Sequence, residues 1–308
     1  MQFKGDNVSF GRHETFPLRY SWLTKGFQAL LENPRIFESP EATVILGVGK
    51  NMVNAIRYWL QATQIVEKTP KGLVFTPVGN AIFNEESQGF DPYLEDEATL
   101  WLIHWLLVTN PSLATAWYWF FNQFHKPEFT GQEASTALYD FAKQNISAKF
   151  SAATVKQDAT VLLRMYTRSK GSTRTPLEEA LDSPLALLGL INQMPGNKSY
   201  QSRPETRESL PLAVLGYAVT ELMNQMKTQQ LPIEDLMYCK GAFPAPGAVF
   251  RLTESALLTK LERLVHLLPG VYEMRETAGI HQLYQLEDVK PRDYLEHHYS
   301  EDTCEVAA

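Results

Sequence analysis

Three groups of side chains have the types and spacing that chemistry on a phosphate requires. Asp91, Glu95 and Asp96 fall in one short run, Asp91-Pro92-Tyr93-Leu94-Glu95-Asp96, ahead of an apolar helix. A hydrated magnesium or manganese ion needs only one or two protein carboxylates, because water and phosphate oxygens complete its shell. If the turn there is helical, Asp91 and Glu95 share a face and form the metal pair, with Pro92 suited to a first helical position. The same acids equally suit a helix start, where carboxylates oppose the positive end of the dipole. The second group is Arg12-His13-Glu14, with Arg19 nearby. His13 could serve as acid or base while an arginine holds phosphate, or the group could be an ion-paired lid over the first helix. The third is Asp158, either a metal acid or a buried partner of Arg164. His104, among Trp101, Ile103 and Trp105, reads as a core histidine. His297-His298, in an acidic tail, would make a weak metal site. No Ser/His/Asp arrangement, dinucleotide fingerprint, phosphate-loop lysine or His-Glu-x-x-His motif is present, so the residues alone diagnose no reaction.

The elements that must position these groups are mostly helices. Apolar residues recur with helical period over 21–32, 50–63, 100–108, 113–124, 131–144, 152–166, 185–192, 212–227 and 254–267. Two segments read as β-hairpins: 65–76 around Thr69-Pro70-Lys71-Gly72, and 271–286 around a Thr-Ala-Gly turn. The fold class expected is mainly α, with an N-terminal winged helix-turn-helix, a central helical bundle and a second winged-helix-like unit near the C-terminus. The matching domains are 1–88, 89–210, 211–290 and an acidic tail, 291–308. Two polar, basic stretches punctuate the chain, 167–175 with Arg168, Lys170 and Arg174, and 195–209 with Lys198, Arg203 and Arg207. Both read as exposed connectors able to reach a phosphate backbone.

Residues 16–83 are the most informative. Their order is helix, a second helix with Ser39 as cap and Pro40 at its first position, a turn at Gly47-Val48-Gly49, a third helix from Lys50, and then a hairpin. At 100° per residue, Lys50, Asn51, Asn54, Arg57, Tyr58 and Gln61 gather in an arc of about 120° on the third helix. Trp59 and its apolar neighbours fill the remainder. The polar arc holds no acid, and all its side chains can bond phosphates or base edges of double-stranded DNA. With Lys68 and Lys71 on the hairpin and only Glu67 opposing, this surface carries +3.

Composition bounds the alternatives. The chain has 308 residues, 44% of them hydrophobic and 20% charged, which excludes wholesale disorder. Two cysteines, Cys239 and Cys304, exclude a disulfide scaffold and fit a reducing, cytoplasmic setting. The polar N-terminus has no signal-peptide core. The apolar run 100–121 is broken by His104, Asn110 and Pro111, so no membrane span is expected. Residues 287–305 hold seven acids against Lys290 and Arg292 and so carry −5 of the net charge of −7. The body is nearly neutral and leaves room for a local basic face.

Several runs together resemble a known family. They are Gly11-Arg12-His13-Glu14 through Trp22, Leu46-Gly47-Val48-Gly49-Lys50-Asn51-Met52, Arg57-Tyr58-Trp59-Leu60, the Asp91–Asp96 run with Thr99 to Trp105, Lys156-Gln157-Asp158, Leu163 to Tyr166, and Ser183-Pro184-Leu185. In this order, over roughly residues 10–290, they resemble the DUF4007 family. The resemblance implies a part in bacterial DNA phosphorothioate modification and antiphage defence, where sulfur replaces a non-bridging phosphate oxygen. It implies DNA nicking by an endonuclease activity. It also implies partnership with a cysteine desulfurase, an ATP-pyrophosphatase-like sulfurtransferase and an ATPase. It assigns no nicking residues, so Asp91, Glu95 and Asp96 are the first candidates and Arg12, His13, Glu14 and Asp158 the reserve. A non-catalytic DNA adaptor, a protein scaffold and a transcriptional regulator stay open beside the nicking reading, as does a homodimer.

Overall fold

The computed structural model describes residues 2–85, 89–168, 183–196, 198–239, 241–277 and 279–305. The chain is mainly α-helical with small antiparallel sheets, and it divides into two compact units. The larger comprises residues 3–120 and 124–203, and the smaller residues 1–2, 121–123 and 204–308.

In the larger unit α1 (Trp22–Glu32) buries Trp22, Leu23, Phe27 and Leu30 along one stripe. A Cβ on Gly26 would lie 2.6 Å from Ile56, so only glycine lets α1 approach α3 (Lys50–Ala62) this closely. Between them run a 3-10 turn (Ile36–Glu38) and the short α2 (Ala42–Leu46). The second helix does not start at Ser39–Pro40 as expected. Ser39 instead ends the 3-10 turn, and its hydroxyl accepts the Glu41 N–H at 3.2 Å. Gly47 closes α2 at φ +67°, a left-handed conformation that a side chain disfavours. The hairpin pairs β1 (Val66–Thr69) with β2 (Gly72–Phe75) in the register Val66↔Phe75 to Thr69↔Gly72. Phe27 stacks on Phe75 and Phe83, which fixes the hairpin and α4 (Pro77–Phe83) to α1.

The expected boundary at 88/89 falls inside this unit. Polar contacts cross it repeatedly: the Tyr58 hydroxyl donates to the Leu113 carbonyl (2.8 Å), and the Asn110 amide donates to the carbonyls of Gln61 and Ala62. Trp59 also packs edge-on against Trp117. The central helix α5 (Glu97–Val108) is apolar all round and buried on every face, and α6 (Thr115–Gln123) follows it. Next come α7 (Gly131–Asn145), opened by a capping box between Thr130 and Glu133, and α8 (Ala152–Tyr166), capped by Ser151. The expected helix over 185–192 is instead a 3-10 turn (Pro184–Leu188) leading into β4 (Asn192–Gln193). That strand joins β3 (Glu128–Thr130) and β5 (Ser199–Gln201) in the order β3-β5-β4.

The smaller unit holds α9 (Leu212–Met226), α10 (Ile233–Met237), α11 (Pro246–Val249) and α12 (Glu254–Leu267). Its hairpin of β7 (Tyr272–Thr277) and β8 (Ile280–Gln285) acquires a third strand, β6 (Gln230–Pro232), at the β8 edge. The acidic tail is no loose appendage. It forms α13 (Pro291–Glu305), whose Tyr294 and Leu295 are buried against α9. Tyr299 is buried as well, while Asp293 is half-buried and Glu296 is exposed. No helix among the described residues is long and apolar enough to cross a membrane.

Of the two basic stretches, 169–175 lie outside the described residues. In the other, Arg203 reaches Glu128 at 3.9 Å, and Arg207 is buried beside Glu205 at 3.0 Å. Lys198 and Arg203 are exposed as expected, as is Arg168 in the first stretch, and Arg207 alone of these is buried.

Candidate nucleic-acid interface

The residues that look most catalytic are the most enclosed. His13 is fully buried, with its ring parallel to Trp59 and edge-on to Tyr58 and Trp117. Its Nδ1 accepts the Thr15 backbone N–H (3.1 Å), so in this arrangement that nitrogen has no proton and Nε2 carries it. Nε2 then donates to Asp158 Oδ1 (3.1 Å), which also accepts the Gly11 N–H (2.8 Å). Burial pushes the Asp158 carboxyl up from its ordinary value, and the His13 and Gly11 bonds oppose that rise. These contacts hold a tight turn in which Glu14 (φ +50°) and Thr15 (φ +68°) are both left-handed. His13 and Asp158, expected as separate candidates, are thus tied together in a structural knot, and Asp158 pairs with His13 rather than with Arg164. Arg12 and Glu14, the neighbours in sequence, both face solvent.

Asp91 is caged as well. Its Oδ1 accepts the Glu95 N–H (2.8 Å), while Oδ2 accepts the Asp96 N–H (3.0 Å) and the Thr99 hydroxyl (2.5 Å). The segment 91–95 is not helical. Leu94 sits at φ +60°, and its carbonyl accepts the Tyr20 hydroxyl. Asp96 caps α5 by accepting the Ala98 N–H (2.7 Å). Of the expected metal pair, Asp91 is buried and accepts two backbone N–H groups and the Thr99 hydroxyl, whereas the Glu95 side chain is exposed. Among the described residues no three His, Cys, Asp or Glu side chains gather as a metal-binding group. These acids do not fit a magnesium or manganese site.

The α3 surface is different in kind. Lys50, Asn51 and Asn54 are exposed, Arg57 and Gln61 are half-buried, and Lys68 and Lys71 stand exposed on the hairpin. Among the described residues, no carboxylate lies within ion-pair distance of Lys50, Arg57, Lys68 or Lys71. Tyr58 is the correction here. It is buried, with its hydroxyl bonded to Leu113, because one turn of α3 rotates it towards α6 rather than outward. Gln61 is also partly committed, since its amide donates to the Arg57 carbonyl (2.9 Å). Glu14 adds an acid that the α3 wheel alone could not reveal: its Oε1 accepts the Asn54 amide at 3.4 Å. Arg35 was missed altogether. It lines, with Glu38, Arg57, Lys68 and Lys71, one cleft beside the hairpin. Its position in the irregular stretch after α1 gave no periodicity from which to find it.

Residues 10–299 match the model of a family described as "Protein of unknown function (DUF4007)". The fold is similar to two solved structures, one described as "Magnesium ion-bound SspB crystal structure" and the other as "SspB crystal structure". Each superposes with a TM-score of 0.83, at 26% and 27% identity respectively, covering 96% of this chain and 89% of the other. No curated protein matches the sequence significantly.

Proposed function

The chain belongs to the DUF4007 family, and on that premise we propose that it binds duplex DNA within a phosphorothioate-modification system of bacterial antiphage defence. In this reading residues 22–83 are a winged helix-turn-helix, with α3 as the recognition helix and the β1–β2 hairpin as the wing. The likeness to SspB supports a role in the Ssp phosphorothioation system. The partners implied are a cysteine desulfurase, an ATP-pyrophosphatase-like sulfurtransferase and an ATPase.

One observation carries the DNA contact. Lys50, Arg57, Lys68 and Lys71 project from two adjoining elements without a carboxylate to neutralise them, on a protein whose net charge is −7. Phosphates supply the missing counter-charge, and Asn51 and Asn54 stand where base edges would be read. DNA nicking is the finer reading that the family resemblance brings. The spent oxygens of Asp91, and the Asp158 Oδ1 held between Gly11 and His13, favour in its place an adaptor that delivers the sulfur-transfer enzymes to their duplex. Magnesium belongs to one similar structure, and no step here is routed through it.

Two assays on the purified protein test the reading. Duplex binding should weaken steeply with salt, because each phosphate contact releases counterions, with a log–log slope of about −0.9 per contact. Binding that ignores salt would point to a protein-docking role. Incubation with supercoiled plasmid, with and without magnesium or manganese, separates the two DNA roles. The adaptor leaves the plasmid intact, and relaxation by the protein alone would establish nicking.

A further inference from the structure

The hairpin stands off from α3. Between the two and the 3-10 turn lies a cleft of about 460 Å³, lined by Arg35, Arg57, Lys68 and Lys71 from three stretches of chain and by one acid, Glu38. Among the described residues none of the four has an ion-pair partner. Phe37, Pro34 and Leu73 provide an apolar lining that sharpens the field inside the cleft. The lining offers little that could read a base edge. Its one neutral hydroxyl, on Thr69, is engaged, donating to the Gly72 carbonyl and accepting the Lys71 N–H. Two guanidinium forks and two ammonium groups suit one kind of ligand, a tetrahedral oxyanion.

We infer that this cleft is a phosphate-binding pocket of the DNA interface, with Arg35 and Arg57 clamping one phosphate group and Lys68 and Lys71 closing over it from the hairpin. The inference rests on the duplex-binding reading and deepens it: α3 reads the duplex, while the cleft fixes a single phosphate beside it. That phosphate is either an internal phosphodiester or a terminal monoester at a strand end. The cleft's excess of cations suits the second, which carries close to two negative charges at neutral pH.

Arg35 is the discriminating residue, because it lies off α3 and is exposed, so that Arg35→Gln should leave the fold and melting temperature unchanged. In the wild-type protein, titration with inorganic phosphate at fixed ionic strength should shift the backbone amides of 35–38, 57, 68, 69 and 71–73 saturably, and Arg35→Gln should abolish the shifts. No saturable shift, or the same shift with chloride, overturns the pocket. Against intact duplex, Arg35→Gln should weaken binding three- to tenfold and flatten the log–log salt slope by about one. Unchanged affinity and slope overturn the pocket while leaving the duplex reading in place. Phosphate shifts in a protein that binds no duplex uphold the pocket and overturn that reading. A nicked duplex carrying 5′-phosphate or 5′-hydroxyl at the nick separates the sources. A phosphate-dependent gain lost in Arg35→Gln assigns the monoester, and equal affinities with the same Arg35→Gln loss assign the diester.

Discussion

The His13–Asp158 knot and the α3–hairpin surface lie within one unit of the molecule and treat charge in opposite ways. In the knot the polar groups that look reactive are engaged: both ring nitrogens of His13, the Asp158 oxygen between Gly11 and His13, and the indole of Trp59, which donates to the Phe16 carbonyl. On the surface the cations reach solvent without a carboxylate in range. Residue types associated with catalysis have been used to hold a turn, while ordinary lysines and arginines keep unspent bonding capacity. Function is better sought where bonding capacity is unspent than where the residue types look reactive.

The sharpest way to break the contrast is to cut into the knot. Trp59 is fully buried, so Trp59→Ala should cost on the order of 3–5 kcal/mol in urea unfolding. A fully stable Trp59→Ala protein that had lost only DNA binding would mean that α3 is rotated from its described position. Asp158→Ala leaves the Gly11 N–H and His13 Nε2–H buried without their acceptor. A loss of about 2–4 kcal/mol is expected, read by the same unfolding curve. Wild-type stability with abolished activity would turn the knot into an active site. The Asp91 cage should respond more mildly. Asp91→Asn keeps the shape but weakens the acceptors for two backbone N–H groups and Thr99, a cost of about 1–2 kcal/mol, whereas exposed Glu95→Gln should change stability by less than about 0.5 kcal/mol. Equal and selective loss of an activity in both variants, with stability intact, would restore them as a metal pair.

Much of the helical order was legible because its signals are local. The α3 boundaries follow from Gly49 and the apolar stripe, and the hairpin follows from Thr69-Pro70-Lys71-Gly72. What failed depended on contacts distant in sequence. Tyr58 lies at the edge of the polar arc, and only the Leu113 carbonyl, 55 residues away, decides that it turns inward. The shared face of Asp91 and Glu95 required a helical turn over the Asp91–Asp96 run, which its acids alone could not decide. The left-handed Leu94 and the cage around Asp91 instead make it a turn that precedes the helix. Asp158 could not be matched to His13 across 145 residues, and the acidic tail gave no helix because its charge outnumbers the apolar Tyr294, Leu295 and Tyr299 that α13 buries. Arg35 carried no pattern and emerges only from the cleft that it lines.

The central claim is that α3 and the hairpin form the DNA surface, and double charge reversal tests it most directly. Lys50→Glu with Arg57→Glu should leave the helical circular dichroism unchanged, since neither side chain belongs to the core. Anisotropy titrations of a labelled duplex, repeated across salt concentrations, should show binding abolished. Where residual binding can be followed, the log–log slope should be flattened by about two. A folded double variant that binds duplex with wild-type affinity and slope would contradict the account.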